Sequence, residues 1–241
     1  MISKNRIRFI KSLEQKKIRQ EEGLFVIEGE KMVLEAIEWI PNYIITIYCT
    51  NESESIKTTR NIQIEEVSSN ELKSISSLKT PNKAIAICKN LPPTSIISPY
   101  TIALDGIQDP GNLGTILRMA DWFGISHVIC SLDTVDCYNP KVLQATMGAI
   151  FRVSVSYVEL NDFFNKNTKP VYGALLEGEN LFNTNFKSEG IILLGNEGNG
   201  IRQINKKHIN FPITIPKFGE AESLNVATAG AIILGSLFRG I

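Results

Sequence analysis

The stretch TIALDGIQDPGNLGTILRMADWFG, residues 101–124, combines a strand, a tight turn and a helix. The run before Asp105 is mostly apolar, as in a strand buried inside a parallel sheet. Asp109 and Pro110 follow, and proline is favoured in the first turn of a helix, which we predict over 111–123. A strand that passes through a turn into a helix is typical of α/β folds, whose ligands bind at the strand ends.

Two polar residues of this helix are candidates for a function. Asn112 is a plausible N-cap with a spare side-chain amide. Arg118 has two interpretations: a surface ion pair with Asp121, three residues further on, or a functional role at the strand end.

Two more glycine-rich loops follow predicted strands. The loop GNEGNG, residues 195–200, comes after the apolar run IILL, and its glycines let the backbone approach a ligand closely. Their spacing matches neither the dinucleotide-binding fingerprint nor the phosphate-binding P-loop. Glu197 is the loop's one charged side chain. A strand-to-helix turn without a ligand stays open as the alternative.

The third loop lies in IPKFGEAESLNVATAG, residues 215–230. We expect Ser223 to cap the last helix, predicted over 224–238, and Asn225 either bonds the backbone of its first turn or has a function. This helix has almost no polar face, so it must be buried against other elements or another subunit. Three such loops in one domain predict a small-molecule site.

The chain divides at KNLPPTSIISPY, residues 89–100, which reads as an extended, proline-rich linker. Strands and helices alternate on both sides of it, so we predict an α/β class for each part. The predicted limits are a first domain over 1–92, a linker over 93–100 and a second domain over 101–241.

The N-terminal segment is strongly basic. Its first 20 residues hold one acidic side chain and seven basic ones. Apolar residues recur at near-helical spacing, which predicts an amphipathic helix over about 3–20. Its cationic face is either a solvated surface or a contact to phosphates, and the neutrality of the whole chain favours phosphates. The basic residues are Lys4, Arg6, Arg8, Lys11, Lys16, Lys17 and Arg19.

Composition limits the possible functions. The 241-residue chain is 43% hydrophobic and carries 25 basic and 25 acidic residues, which fits a folded protein without a broadly basic surface. Four cysteines without a CxxC pair, together with two histidines, make a zinc site improbable and indicate buried thiols. The apolar run 226–238 is too short to span a bilayer. We therefore expect a cytoplasmic protein without a membrane segment or a metal.

The three loops, in this order, resemble the motifs of the SpoU/TrmH family of RNA 2′-O-ribose methyltransferases. The loop with Asn112 and Arg118 resembles the first motif, LLGNEGNGI the second and IPKFGEAESLNVA the third. The segment NPKVLQATMGAIFRV resembles the family's intervening segment, with Gln144 and Thr146 where Arg and Ser are more usual. FVIEGEKMVLEAI resembles a substrate-binding domain related to ribosomal protein L30e.

The resemblance implies a mostly parallel sheet with helices on both faces, knotted into a deep trefoil, beside a smaller L30e-like α/β domain. It implies S-adenosyl-methionine as cofactor, a homodimer formed through the catalytic domain, and an RNA substrate, with rRNA ahead of tRNA. The implied catalytic residues are Asn112, Arg118, Glu197, Ser223 and Asn225. The implied cofactor contacts are Leu194, Gly195, Asn196, Gly198, Gly200, Ile215 and Leu224. The expected RNA contacts are Lys4, Arg6, Arg8, Lys11 and Lys141.

The implied reaction is attack of a ribose 2′-oxygen on the sulfonium methyl group. Arg118 stands at the position of the family's usual base, but a guanidinium is normally only a donor. Our hypothesis is that Arg118 grips the nucleotide phosphate and orients the hydroxyl, while Glu197 orders Asn112 or Arg118. The alternative function is a non-catalytic RNA-binding protein. An unrelated nucleotide-binding enzyme is disfavoured by the glycine spacing and the missing phosphate-binding lysine.

Overall fold

The computed structural model describes residues 2–56, 62–93 and 98–239. The chain divides into two compact units. The first comprises Met1–Pro92 with Asp136–Arg152, and the second comprises Pro93–Val135 with Val153–Ile241. Residues 94–97 of the predicted linker lie outside the described residues, and the predicted domain limits stay a prediction.

Helices and strands alternate along most of the chain. The helices are α1 (Lys4–Ser12), α2 (Lys16–Glu22), α3 (Glu30–Trp39), α4 (Ser69–Ile75), α5 (Pro110–Trp122), α6 (Pro140–Thr146), α7 (Leu160–Lys166), α8 (Gln203–Lys206) and α9 (Val226–Leu237). The strands are β1 (Leu24–Glu28), β2 (Ile44–Cys49), β3 (Gln63–Glu66), β4 (Ala84–Lys89), β5 (Tyr100–Asp105), β6 (His127–Ser131), β7 (Ser154–Val158), β8 (Val171–Asn180), β9 (Gly190–Gly195) and β10 (Phe211–Thr214).

The first unit contains a four-stranded sheet in the order β1-β4-β2-β3. Strand β4 runs antiparallel to both of its neighbours, and β2 runs parallel to β3. Ile10 and Leu13 from the N-terminal segment, with Leu72 and Ile75 from α4, pack in one core with Ile87 of β4. Burial of such side chains stabilises the unit by about 1.5–3 kcal/mol each.

The predicted helix over 3–20 is wrong, because the segment forms two helices, α1 and α2, separated by a turn. Arg19 holds that turn: its Nη1 donates to the carbonyl oxygens of Leu13 and Glu14 at 2.8 and 2.7 Å. The free carbonyls at the end of α1 need such donors. Arg19 is only 3% exposed and pairs with Asp136, so it is not part of a cationic surface.

The second unit is built on a six-stranded sheet in the order β10-β8-β9-β5-β6-β7. All neighbouring strands are parallel. The predicted α/β class with a mostly parallel sheet is therefore confirmed, whereas the trefoil knot stays a prediction. After β5 the chain adds β6 and β7 on one side, and it then crosses over to add β8, β9 and β10 on the other side. The order of the strands therefore reverses between β5 and β9. Ligands of such sheets bind outside the carboxyl ends of the strands at this point.

The four cysteines are buried thiols outside any disulfide, as expected. No helix within the described residues is both long and apolar enough to cross a membrane.

Candidate active site

The three motif loops begin at strand ends of the second unit. Strands β5 and β9 lie side by side, and their last residues, Asp105 and Gly195, are register partners. Parallel pairing therefore brings the loops that follow these two strands to the same edge of the sheet. Strand β10, which leads into the third loop, lies in the same sheet.

Asp109, and not Asn112, caps α5, which corrects the prediction. The Asp109 Oδ1 atom accepts a hydrogen bond from the Asn112 backbone N–H at 2.8 Å. The helix begins at Pro110, one residue earlier than predicted, so the capping position falls on Asp109. This leaves both polar atoms of the Asn112 side chain available for other partners.

Asn225, and not Ser223, caps α9, which begins at Val226. The Asn225 Oδ1 atom accepts from the backbone N–H groups of Ala227 and Thr228 at 2.9 and 3.2 Å. Ser223 lies two residues before this cap and is exposed. The hydroxyl expected at the cap is therefore free of that role.

Side-chain hydrogen bonds join the three loops. Asn112 Nδ2 donates to Glu197 Oε1, and Asn225 Nδ2 donates to Asn112 Oδ1 at 2.8 Å. We name this the Glu197–Asn112–Asn225 chain. Each member comes from a different loop, so the chain brings together three of the five predicted catalytic residues. Glu197 thus orders Asn112, one of its two predicted partners.

Arg118 lies on α5 with an exposed side chain. Its alternative ion pair with Asp121 is not among the ion pairs of the described residues. The guanidinium is therefore available to a ligand, and its planar set of N–H groups can donate hydrogen bonds to it.

The loop 195–200 is a compact turn stabilised by its own hydrogen bonds. Asn196 and Gly200 exchange backbone hydrogen bonds of 3.1 and 2.8 Å, and Asn196 Oδ1 accepts from the N–H of Gly198 at 2.9 Å. A Cβ atom at Gly195 would lie 2.3 Å from the backbone of Gly200, so only glycine fits there. A Cβ at Gly198 would lie 3.5 Å from the nearest atom, which is ordinary contact.

The third loop and β8 carry exposed apolar side chains. Leu224 is 47% exposed and Phe218 97% exposed on the third loop, and Leu176 is 79% exposed in the middle of β8. Strand β8 lies between β9 and β10, so its carboxyl end falls between the second and third loops. Leu194 is buried and Ile215 half-buried. Exposed apolar side chains are the kind of surface on which a flat, uncharged ring packs.

A buried carboxylate beneath the loops escaped sequence reasoning. Asp105 is 1% exposed and accepts hydrogen bonds from Arg202 and Asn205. Burial lowers the pKa of Arg202, but its hydrogen bond and charge interaction with Asp105 outweigh burial and the pKa is raised. A hydrogen bond from Ser131, with the charge of Arg202, lowers the pKa of Asp133 despite partial burial. The available signal was an acidic residue at the end of an apolar strand.

The predicted RNA contacts all lie in the first unit. Lys4, Arg8 and Lys11 are exposed on α1, at the spacing of one helix face, and Lys141 is exposed on α6. Arg6 is half-buried and donates to the Tyr48 hydroxyl at 2.8 Å. Four of the five cations are thus free to meet phosphates.

The two residues that depart from the family pattern, Gln144 and Thr146, make hydrogen bonds within the first unit. Gln144 Nε2 donates to the Glu28 carbonyl oxygen at 3.1 Å. Thr146 is buried, and its hydroxyl donates to the Leu143 carbonyl oxygen at 2.7 Å.

Known families match both parts of the chain. Residues 99–235 match the SpoU rRNA methylase family, and residues 4–86 match the MRM3-like substrate-binding domain. The 23S rRNA (guanosine(2553)-2′-O)-methyltransferase RlmP of Bacillus subtilis is 32% identical over 93% of this chain and 92% of its own length.

Solved structures of related methyltransferases are similar to this chain. A TrmH-family protein from Porphyromonas gingivalis has a TM-score of 0.90 and 37% identity, over 99% of both chains. An AdoMet-bound rRNA methyltransferase from Sinorhizobium meliloti has a TM-score of 0.87 and 29% identity, over 99% of this chain and 97% of that one.

Proposed function

This chain belongs to the SpoU rRNA methylase family, whose members use S-adenosyl-methionine to methylate ribose 2′-hydroxyl groups, and we propose that its substrate is a guanosine of 23S rRNA. The observation that carries the assignment of a methyltransferase active site is the Glu197–Asn112–Asn225 chain, because it joins the three motif loops at one edge of the sheet. The relative from Bacillus subtilis, similar over nearly the whole chain, supports the choice of substrate. An rRNA substrate also favours a cytoplasmic location.

The cofactor would be held by the second and third loops. Bound S-adenosyl-methionine supplies a methyl group made electrophilic by its positively charged sulfur. Leu224 and the half-buried Ile215 would line the adenosyl group, and the exposed backbone at Gly198 and Gly200 would allow its close approach. Leu194, Gly195 and Asn196 complete the set of proposed contacts.

The catalytic residues would orient the ribose. Asn112 has both side-chain polar atoms fixed by Glu197 and Asn225, so its amide is held in one orientation. The exposed guanidinium of Arg118 would hydrogen-bond the phosphate of the target nucleotide and so align the 2′-hydroxyl. The exposed Ser223 hydroxyl would contact the same nucleotide.

The first unit would bind the RNA substrate. Lys4, Arg8, Lys11 and Lys141 offer exposed positive charge, and phosphate contacts of this kind weaken as salt concentration rises. Arg6 would contribute less, because its guanidinium already bonds Tyr48. The match to a substrate-binding domain supports this role.

A homodimer through the second unit is part of the proposal. Trp122 follows Arg118 by one helical turn on α5 and is 85% exposed. A large aromatic side chain left in water is typical of a protein interface. A partner subunit covering Trp122 would lie beside Arg118.

Calorimetric titration with S-adenosyl-methionine tests the proposal. We expect micromolar binding by the wild-type protein and its loss in Gly198→Val, since the free loop accepts a Cβ at Gly198 and the bound cofactor would not. Gly235→Ala is the matched control, because a Cβ there meets nothing within 4 Å. Methyl transfer to 23S rRNA from the purified protein is the second measurement. A folded protein that binds RNA but no cofactor would instead be a non-catalytic RNA-binding protein.

A further inference from the structure

Asp105 connects the end of β5 to the far side of the loop 195–200. Its Oδ2 accepts from the Arg202 backbone N–H at 2.8 Å and from Asn205 Nδ2 at 2.9 Å. Its Oδ1 accepts from Arg202 Nε at 2.5 Å, and Arg202 Nη2 lies 2.5 Å from the same oxygen. All these partners follow the loop in the chain, so the carboxylate fixes the point where the loop ends.

The beginning of the same loop is fixed to the neighbouring residue of the β5 end. Asn196 Nδ2 donates to the Gly106 carbonyl oxygen at 2.7 Å, and the Gly106 N–H donates to Ser131 Oγ at 2.8 Å. Asp105 and Gly106 therefore hold both ends of the loop, while residues 197–200 between them are exposed.

The sheet does not need the Asp105 side chain for its own pairing. Backbone pairing of β5 with β9 runs from Tyr100 to Asp105. Removing the carboxylate would leave this pairing in place but would deprive the Arg202 backbone N–H and the buried Asn205 amide of their acceptor, while the Arg202 guanidinium would keep Asp133. Buried polar groups that lose a partner rearrange or cost free energy.

We infer that Asp105 and Arg202 are positioning residues for the cofactor: they hold the loop 195–200 in the conformation that binds S-adenosyl-methionine. This inference rests on the proposed function. The Glu197–Asn112–Asn225 chain orders the exposed side of the loop, and Asp105 orders its base. Neither Asp105 nor Arg202 is proposed to touch the cofactor.

The test is Asp105→Asn, assayed for cofactor affinity, kcat, both KM values and thermal unfolding. We expect Kd and KM for S-adenosyl-methionine to rise roughly tenfold or more, the usual effect of losing a charged hydrogen bond. The KM for RNA should stay near the wild-type value. Arg202→Gln is the second variant, because that side chain is 47% exposed and its replacement leaves the core intact.

The matched control is Asp136→Asn, which breaks another arginine–aspartate pair with an N···O distance of 2.5 Å. It should lower stability and leave cofactor affinity unchanged. The inference is overturned if Asp105→Asn and Arg202→Gln bind the cofactor like the wild type, or if Asp136→Asn weakens binding equally. Failure of the unsubstituted protein to bind the cofactor would overturn the proposed function itself, a result seen before any variant is made.

Discussion

The two units each contain an arginine–aspartate pair, and the pairs differ in which partner is buried. In the first unit Arg19 is 3% exposed and Asp136 14% exposed. In the second unit Asp105 is fully buried, whereas Arg202 is 47% exposed. The first pair holds a turn between two helices, and the second holds a loop whose outer residues face solvent.

This difference separates polar groups that stabilise the fold from polar groups that can bind a ligand. Arg19 donates to two backbone carbonyls and to Asp136, so its charge serves only the scaffold. Arg118, by contrast, has an exposed guanidinium on α5, the helix that also carries Asn112. We therefore expect substitutions in the Arg19–Asp136 pair to change stability, and substitutions at the edge of the second sheet to change binding or rate.

Arg118 should give the largest effect. Arg118→Ala should lower kcat/KM for RNA methylation by roughly a hundredfold or more, because the reacting hydroxyl loses its alignment. Calorimetry should show unchanged affinity for S-adenosyl-methionine. Arg118→Lys keeps the charge but loses the planar fork, so it should recover little. Substantial turnover of Arg118→Lys at raised pH would contradict the importance of guanidinium geometry.

The buried pair of the first unit should come next. Asp136→Asn should lower the free energy of unfolding by about 3 kcal/mol, because Arg19 keeps a buried charge without its partner. Chemical denaturation measures this change. The exposed pair Lys17–Glu21, at 3.8 Å, supplies the control: Glu21→Gln should change little. An equal loss of unfolding free energy in the two variants would mean that burial does not determine how much an ion pair stabilises the fold.

A helix cap in the first unit should give the smallest effect. Ser68 and Glu71 form a capping box at the start of α4, and Ser68→Ala should cost about 1 kcal/mol. The adjacent Ser69→Ala lies outside the box and serves as control.

The same box predicts a pH dependence. Hydrogen bonds from the backbone N–H groups of Ser68 and Ile2, then from the Ser68 hydroxyl, lower the pKa of Glu71 to about 2 from 4.5. A lowered carboxyl pKa stabilises the folded state above the unfolded value, so this contribution is complete above pH 4.5 and is lost as pH falls toward 2. Acid titration of Glu71→Gln, which removes the titrating group, should show a shallower loss of stability over this range.

The sequence predicted the strands well because their signal is local. Runs such as IILLG are apolar along their whole length, and the strand observed at Gly190–Gly195 follows that run. The three loops were found for the same reason, since each glycine-rich stretch directly follows a strand.

The details that failed depend on the backbone or on distant partners. Whether Asp109 or Asn112 caps α5 is decided by which residue is extended, and periodicity does not report that. The break after α1 depends on Arg19, whose partner Asp136 lies 117 residues away. The role of Asp105 likewise depends on residues about 100 positions later in the chain.

The place of β9 in its sheet has a consequence for synthesis. This strand lies between β5 and β8, although the ribosome makes it after both. Until β9 inserts, the middle of the sheet is an open gap, and pairing across such long separations in sequence is slow. The site formed by the three motif loops therefore cannot assemble in a nascent chain until β9 and the loops that follow it have been made.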